Sequence, residues 1–309
     1  MWKIPLTIFM TVLLTLLLFG AGYIFHLFQE AGHTMKQINV NDDQASAGEN
    51  SSSPQQLRGH GPISIFITGI DSRTDNTGLS DVIMVLSIHP EKESTLLFNI
   101  PRDTQVAIPD RQQPEKINHA YHDGGTALVQ QIVEQKLEHS FDLTVELDMQ
   151  GFIELVDILG GIEVDNAFAF SERNVTHTKT HFFDKGIIHL DGERALDYVR
   201  MRKKDPRGDL GRNERQRQIL TALMQKTASM QTLVNVQQFL PLAENHIKTN
   251  AAMEDVNILF SEYRHTVGDV KTFEMQGTPD TQNGTSYYLI SDKEWHKAAL
   301  RLRNHQKDE

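Results

Sequence analysis

Residues 4–28 read "IPLTIFMTVLLTLLLFGAGYIFHLF", 25 positions without a formal charge. A run of this length restricts the chain before anything else is considered, because about 20 predominantly apolar residues are enough to cross a bilayer as a helix. Only the amino terminus and Lys3 precede it, whereas Glu30, Asp42, Asp43 and Glu49 follow it against the single Lys36. The positive-inside rule then predicts a single-pass type II protein: a cytoplasmic stub at 1–3, a transmembrane helix at 4–28 and the remainder outside the cell. The "FGAG" stretch offers the small residues of a cleaved signal peptide. The apolar region of a signal peptide usually runs only about 7–15 residues, so the length favours an uncleaved anchor.

Residues 29–60 include "NDDQASAGENSSSPQQ", which has no apolar period. Such a composition cannot bury enough surface to fold, and the segment reads as a flexible extracellular linker. From 61 to 309 the pattern changes. "ISIFITGI" (63–70), "VIMVLSIH" (82–89) and "TLLFNI" (95–100) are apolar, β-branched runs of strand length, the last two joined closely enough for a hairpin. Helical spacing follows at 124–138, a strand at 143–148, and a short helix at 151–161 that glycine stops. A strand at 186–190 precedes a helix with Asp191 as its N-cap. Helices at about 211–230, 234–247 and 252–265, strands within 270–277 and 287–290, and a helix from about 292 complete the chain. This irregular alternation predicts a three-layer α/β domain with a central mixed β-sheet flanked by helices.

The chain has no cysteine, which excludes disulfides and thiolate metal sites. Its net charge of −11 argues against a nucleic-acid partner. Against that acidic background, seven of 15 arginines fall between Arg194 and Arg217, together with Lys203 and Lys204. In the helix from about Gly211, positions Arg212, Arg215, Gln216, Ile219, Leu220 and Leu223 share one face. The later turns of that stripe are apolar and belong against the core, so the first turn points its arginine and glutamine inward too. A helix N-terminus already favours an anion. Arg200 and Arg202, spaced i, i+2, fall on one side of an extended segment just upstream. Guanidinium matches phosphate oxygens in two-pronged contacts, so a phosphate or pyrophosphate is the expected guest. The competing reading is a solvated face on which Asp205, Asp209 and Glu214 pair the arginines.

"GIDSRTDNTGLSD" begins where the first strand ends and brings Asp71, Asp75 and Asp81 together with Arg73. Strand ends are the usual ligand crevice of an α/β sheet. Magnesium takes oxygen ligands, commonly one or two carboxylates plus water and substrate phosphate, so Asp71 and Asp81 are candidates to share an ion with a pyrophosphate. The same residues also suit ordinary Asx turns. "NIPRD" (99–103) ends the third strand and directs Arg102 toward the same crevice, with Asp103 to orient it or to cap a turn.

Taken in order, "GIDSR…GLSDVIMVLSIHP", "NIPRDT", "KINHAYHDGG", "GFIELVDILGGIEVD" and "LDGERALDYVRMRKKDPRGDLGRNERQRQIL" resemble the blocks of the LytR-CpsA-Psr family over roughly residues 62–230. The resemblance implies an outward-facing phosphotransferase. Its members move an anionic glycopolymer, such as wall teichoic acid, from a polyprenyl-pyrophosphate carrier in the membrane lipid onto peptidoglycan, typically the muramic acid 6-hydroxyl, releasing polyprenyl phosphate. It also implies an α/β domain whose apolar pocket takes the lipid tail. By motif, Asp71 and Asp81 take metal-linked roles with magnesium, or manganese as the alternative. Arg102, Arg200, Arg202, Arg212 and Gln216 take pyrophosphate contacts, with Arg73 and Lys116 as helpers. Asp71, Asp81, Arg102 and Arg212 form the expected catalytic set, and either aspartate is a candidate base. Leu79 stands where the family usually has arginine, so one phosphate-neutralising charge is missing. His119 and His122 read as ordinary polar residues at a helix entry. The rival functions are a metal-dependent phosphoesterase acting on lipid pyrophosphate and a non-enzymatic regulator of the envelope.

Overall fold

The computed structural model of the chain describes residues 57, 61–71, 78–228 and 236–307. The expected anchor at 4–28, most of the linker, Arg73 and Asp75 lie outside them. Among the described residues no helix is long and apolar enough to cross a membrane.

Strands β1 (Ile63–Asp71), β2 (Leu79–His89) and β3 (Ser94–Asn99) form an antiparallel meander, including the expected hairpin. A ribbon of β4 (Gln105–Val106) and β5 (Glu115–Lys116) leads into helix α1 (Ala120–Leu137). Strand β6 (Leu143–Asp148) pairs parallel to β1 and runs directly into helix α2 (Met149–Ile158). Two ribbons follow, β7 (Ile162–Asn166) with β10 (Gly186–Leu190) around β8 (Phe170–Arg173) with β9 (Thr180–Phe183). Helices α3 (Gly192–Arg200), α4 (Asp209–Thr227) and α5 (Val236–His246) precede β11 (Ile247–Thr249) and α6 (Met253–Ile258). The chain closes with β12 (Val270–Glu274), the hairpin β13 (Thr278–Gln282) and β14 (Thr285–Leu289), and α7 (Asp292–Gln306).

The main sheet has six strands in the order β11-β6-β1-β2-β3-β12, with β1–β6 and β3–β12 parallel and the other pairs antiparallel. It is the mixed sheet the sequence predicts. Period-two alternation sends Phe66, Ile83, Val85 and Phe98 to one face, where Val129 and Val133 of α1 and Ala298 and Leu302 of α7 cover them. The opposite face looks toward α2, α3 and α4, which have their own core around Val156, Leu196, Tyr198 and Ile219. Three layers result, and the functional cavity opens between the second and the third.

Local signals explain most boundaries. Asp191 caps α3 by accepting the Arg194 N–H at 2.9 Å, and Asp148 caps α2 by accepting from Gly151 at 2.7 Å. Gly160 and Gly161 end α2 at φ of 73° and 81°, where a side chain would be strained. Helix α1 starts earlier than expected and kinks at Gly124 and Gly125, so the glycine pair interrupts the helix and does not open it. Leu57, in the segment read as linker, is buried with Ile63 and Leu143, and its N–H donates to Asp255 Oδ1 at 2.8 Å.

Candidate active site

Strand β2 carries the decisive irregularity. Val82 pairs with Gly69 and Ser80 pairs with Ile70, so Asp81 is the extra residue of a β-bulge. In a regular strand Asp81 would face away from Val82 and Met84. With the bulge, Asp81, Val82 and Met84 all line one cavity. Asp71, at the end of β1 and opposite Leu79, lines it as well.

That cavity has a volume of about 940 Å³. Its floor is the sheet face, with Ile65 and Ile67 of β1 and Val145 and Leu147 of β6. Its roof is Phe152 and Leu155 of α2, Val199 of α3, and Ile219 and Leu223 of α4. A hollow this size, walled by aliphatic side chains, accepts a hydrocarbon chain. Its polar end is the bulge, the turn after β3 and the first turn of α4.

Four of the expected arginines, Arg102, Arg200, Arg202 and Arg212, and Gln216 line that cavity with the two aspartates. Arg102 donates from Nη1 to Asp81 Oδ1 at 2.7 Å. Burial opposes the Arg102 charge, but attraction and hydrogen bonding from Asp81, then the charges of Asp103 and Asp209, hold its pKa above the ordinary value. Arg212 is 5% exposed and donates to Asp209 Oδ2 at 3.0 Å. Burial pulls its pKa below the ordinary value against Asp209, and the neighbouring Arg102 charge adds to that pull. The Nε of Arg102 and the Nε of Arg212 are both buried without a hydrogen-bond partner. Two orphaned guanidinium donors at one mouth are costly unless an anion satisfies them. Gln216 is fixed by Asn99, whose Nδ2 donates to Oε1 at 3.0 Å.

Some residues depart from expectation. Arg200 is the last residue of α3, and the chain becomes extended only at Met201, yet Arg200 and Arg202 still line the same cavity. Arg215 does not line it. Its guanidinium instead ties α4 to the end of α3, donating from Nε to the Tyr198 carbonyl at 3.1 Å and from Nη1 and Nη2 to Asp205 and the Met201 carbonyl. Gly211 is required there, because a Cβ would collide with the Asp205 carboxylate that holds Arg215. Lys116 does not line the cavity either. It ion-pairs with Asp103 at 2.8 Å and so acts behind Arg102. Burial raises the Asp103 pKa, but the Lys116 hydrogen bond and the Arg102 charge outweigh it and hold the carboxyl below its ordinary range. Arg73 lies outside the described residues. Leu79 lines the cavity as an apolar side chain. His119 hydrogen-bonds Glu115 at 2.6 Å, away from the cavity.

The sequence did not reveal the buried Asp197. Its carboxylate meets His181 Nδ1 at 2.6 Å and lies 3.6 Å from Arg200 Nη1, which places the Arg200 side chain. Among the described residues no group of three or more His, Cys, Asp or Glu side chains is close enough to cage a metal. Magnesium needs less than that, since one or two carboxylates plus substrate phosphate suffice. Asp71 and Asp81 supply that donor set on the cavity wall, and Asp81 uses only Oδ1 toward Arg102.

The model of the LytR_cpsA_psr family matches residues 23–304. The chain belongs to this family. Over 305 residues this LytR-CpsA-Psr protein is 34% identical to the polyisoprenyl-teichoic acid–peptidoglycan teichoic acid transferase TagU of Oceanobacillus iheyensis, covering 96% of this chain and 93% of that one. The Enterococcus faecalis protein of the same name is 37% identical over 246 residues, 79% of each chain. Among solved structures, Bacillus subtilis TagV superposes with a TM-score of 0.70 at 32% identity, covering 80% of this LytR-CpsA-Psr protein and 98% of TagV.

Proposed function

We propose that the chain transfers an anionic glycopolymer of the teichoic acid class from a polyprenyl-pyrophosphate carrier to a peptidoglycan hydroxyl. One observation supports this above the others: an apolar slot ends at a mouth where Arg102 and Arg212 each keep a buried Nε without a hydrogen-bond partner. The slot suits the hydrocarbon tail, and the mouth suits the diphosphate that joins tail to polymer.

In this reading the acceptor hydroxyl oxygen attacks the phosphorus that bears the polymer. The bond from that phosphorus to the bridging oxygen breaks, and polyprenyl phosphate leaves with the electron pair. A phosphodiester to peptidoglycan forms, and the hydroxyl proton passes to Asp71 or Asp81. Arg102, Arg200, Arg202 and Arg212 hold the diphosphate and offset the charge gathering on the leaving phosphate, which is positioning plus electrostatic stabilisation. Magnesium, held by Asp71 and Asp81, would supply further charge neutralisation at the same phosphates. The anchor at 4–28 would keep the domain outside the membrane yet beside its lipid substrate, raising the effective concentration.

The test is reconstitution of the full chain with a defined lipid-linked donor and peptidoglycan, with and without chelator. The expected result is polymer covalently joined to peptidoglycan, polyprenyl phosphate released in equal amount, and loss of both on chelation. Release of phosphate or free polymer at the same rate without acceptor would instead identify a phosphoesterase.

A further inference from the structure

A second group of cations lines the same cavity. Arg173 and His177, from the β8–β9 hairpin, and Lys203 and Lys204, from the connection between α3 and α4, line this rim. All four are exposed, unlike the buried Arg212. Lys204 Nζ donates to Ser171 Oγ at 2.9 Å, which fastens the connection to the hairpin without neutralising the charge. Arg173 and Lys203 have no ion-pair partner among the described residues. Other cations among the described residues are ion-paired, as in Arg111 with Asp123, Lys116 with Asp103 and Arg215 with Asp205. Among the described residues lining the cavity, Glu172 is the acid these same two segments contribute. Three fixed positive charges against one negative, in a chain of net charge −11, form a local field suited to an anion.

The chemistry differs from that of the mouth. There, arginines with buried, orphaned Nε donors fit one diphosphate. Here, two exposed lysines on flexible stems act as point charges that tolerate varied geometry, which suits successive phosphodiesters on a mobile chain. We propose that the rim of Arg173, Lys203 and Lys204 is a subsite for backbone phosphodiesters of the donor polymer, beyond the diphosphate. This rests on the function proposed above and adds to it a device for selecting a polyol-phosphate polymer over an uncharged glycan.

The experiment uses the full chain in detergent and two probes: farnesyl diphosphate and a soluble glycerol-phosphate oligomer. Arg173→Gln combined with Lys203→Gln is expected to weaken oligomer binding about tenfold at low salt and to flatten its salt dependence. Farnesyl diphosphate binding is expected to change less than about twofold. An equal loss for both soluble probes would reduce the rim to a general field and overturn the subsite. Wild-type protein that binds farnesyl diphosphate but not the oligomer would overturn the subsite and leave the proposed transfer standing. Wild-type protein that binds neither would overturn the reading of the cavity together with the subsite.

Discussion

Arg102 donates to Asp81 at 2.7 Å, joining the turn after β3 to the bulge of β2. The contact sets both groups at once: the carboxylate keeps Oδ2 available, and the guanidinium keeps a buried Nε unsatisfied. Asp81→Asn preserves a hydrogen bond to Arg102 but removes the negative charge. Transfer is expected to fall by roughly 10²–10³ with the melting temperature little changed. Turnover near the wild-type rate in the reconstituted assay would remove Asp81 from the chemistry.

Arg212 tests whether the mouth is built for function or for stability. Lysine cannot reproduce a two-pronged contact with phosphate, so Arg212→Lys should lose about as much activity as Arg212→Ala, on the order of 10². Arg212→Met replaces a buried, incompletely satisfied guanidinium by an apolar chain of similar length and is expected to leave thermal stability equal or higher. A large fall in melting temperature for Arg212→Met would mean that the arginine is structural.

The slot predicts a dependence on tail length. Ile67 lies on its floor, and Ile67→Trp should displace two or three methylenes of a long tail, at about 0.8 kcal/mol each. That corresponds to roughly 30-fold weaker binding of a long-chain donor. A three-isoprene donor should be affected much less. Equal effects on both donors would place the tail elsewhere.

Asp197 joins His181 to Arg200 inside the third layer. Burial raises the Asp197 pKa against the opposing pull of His181 and Arg200. Removing it leaves the buried His181 without its carboxylate, so Asp197→Ala should destabilise the domain by about 3 kcal/mol in denaturant titration. Because Arg200 loses its guide, any folded fraction should also show a raised KM for the lipid donor.

Acid stability depends in part on His305. Its Nδ1 meets Ser87 Oγ at 2.9 Å and its Nε2 meets Ser94 Oγ at 3.1 Å. Burial, followed by the charges of His89, Lys92 and Lys271, pushes its pKa down to about 4. The unfolded chain, with an ordinary histidine near 6.5, therefore takes up this proton first as pH falls. Stability from this group is complete above about 6.5 and is lost as pH falls toward 4. The melting temperature of His305→Gln should vary less with pH across that window than the wild type's. Parallel profiles would refute the assignment.

Much of the site was readable from periodicity. Helical spacing is enough to place Arg212 and Gln216 inward, because the apolar turns below them must meet the core. The same spacing misplaced Arg215, which sits about 60° around the helix from Arg212, at the edge of the stripe. There the open carbonyls at the end of α3 take its guanidinium. Chemistry alone makes Asp81 a candidate, but its direction is not legible in the sequence, since the bulge appears only when β1 and β2 are paired. Lys116 shows the same limit: its partner Asp103 is chosen by tertiary geometry. Ribbons such as β4–β5 and β8–β9 escaped because strands of two to four residues leave too few positions for an alternation to register.

The order of the sheet has a consequence for how the molecule matures. Its centre, β1 to β3, and both aspartates come from the first part of the domain, whereas the edges β11 and β12 and most of the arginines come from residues beyond 199. A chain made from its N-terminus shows the floor of the slot long before α4 arrives to cover it. Long-range closure of this kind is slow, and the half-made sheet is prone to stick to others of its kind. Binding competence is therefore among the last properties the nascent chain acquires, and truncations within the arginine segment should leave an insoluble sheet instead of a weakened enzyme.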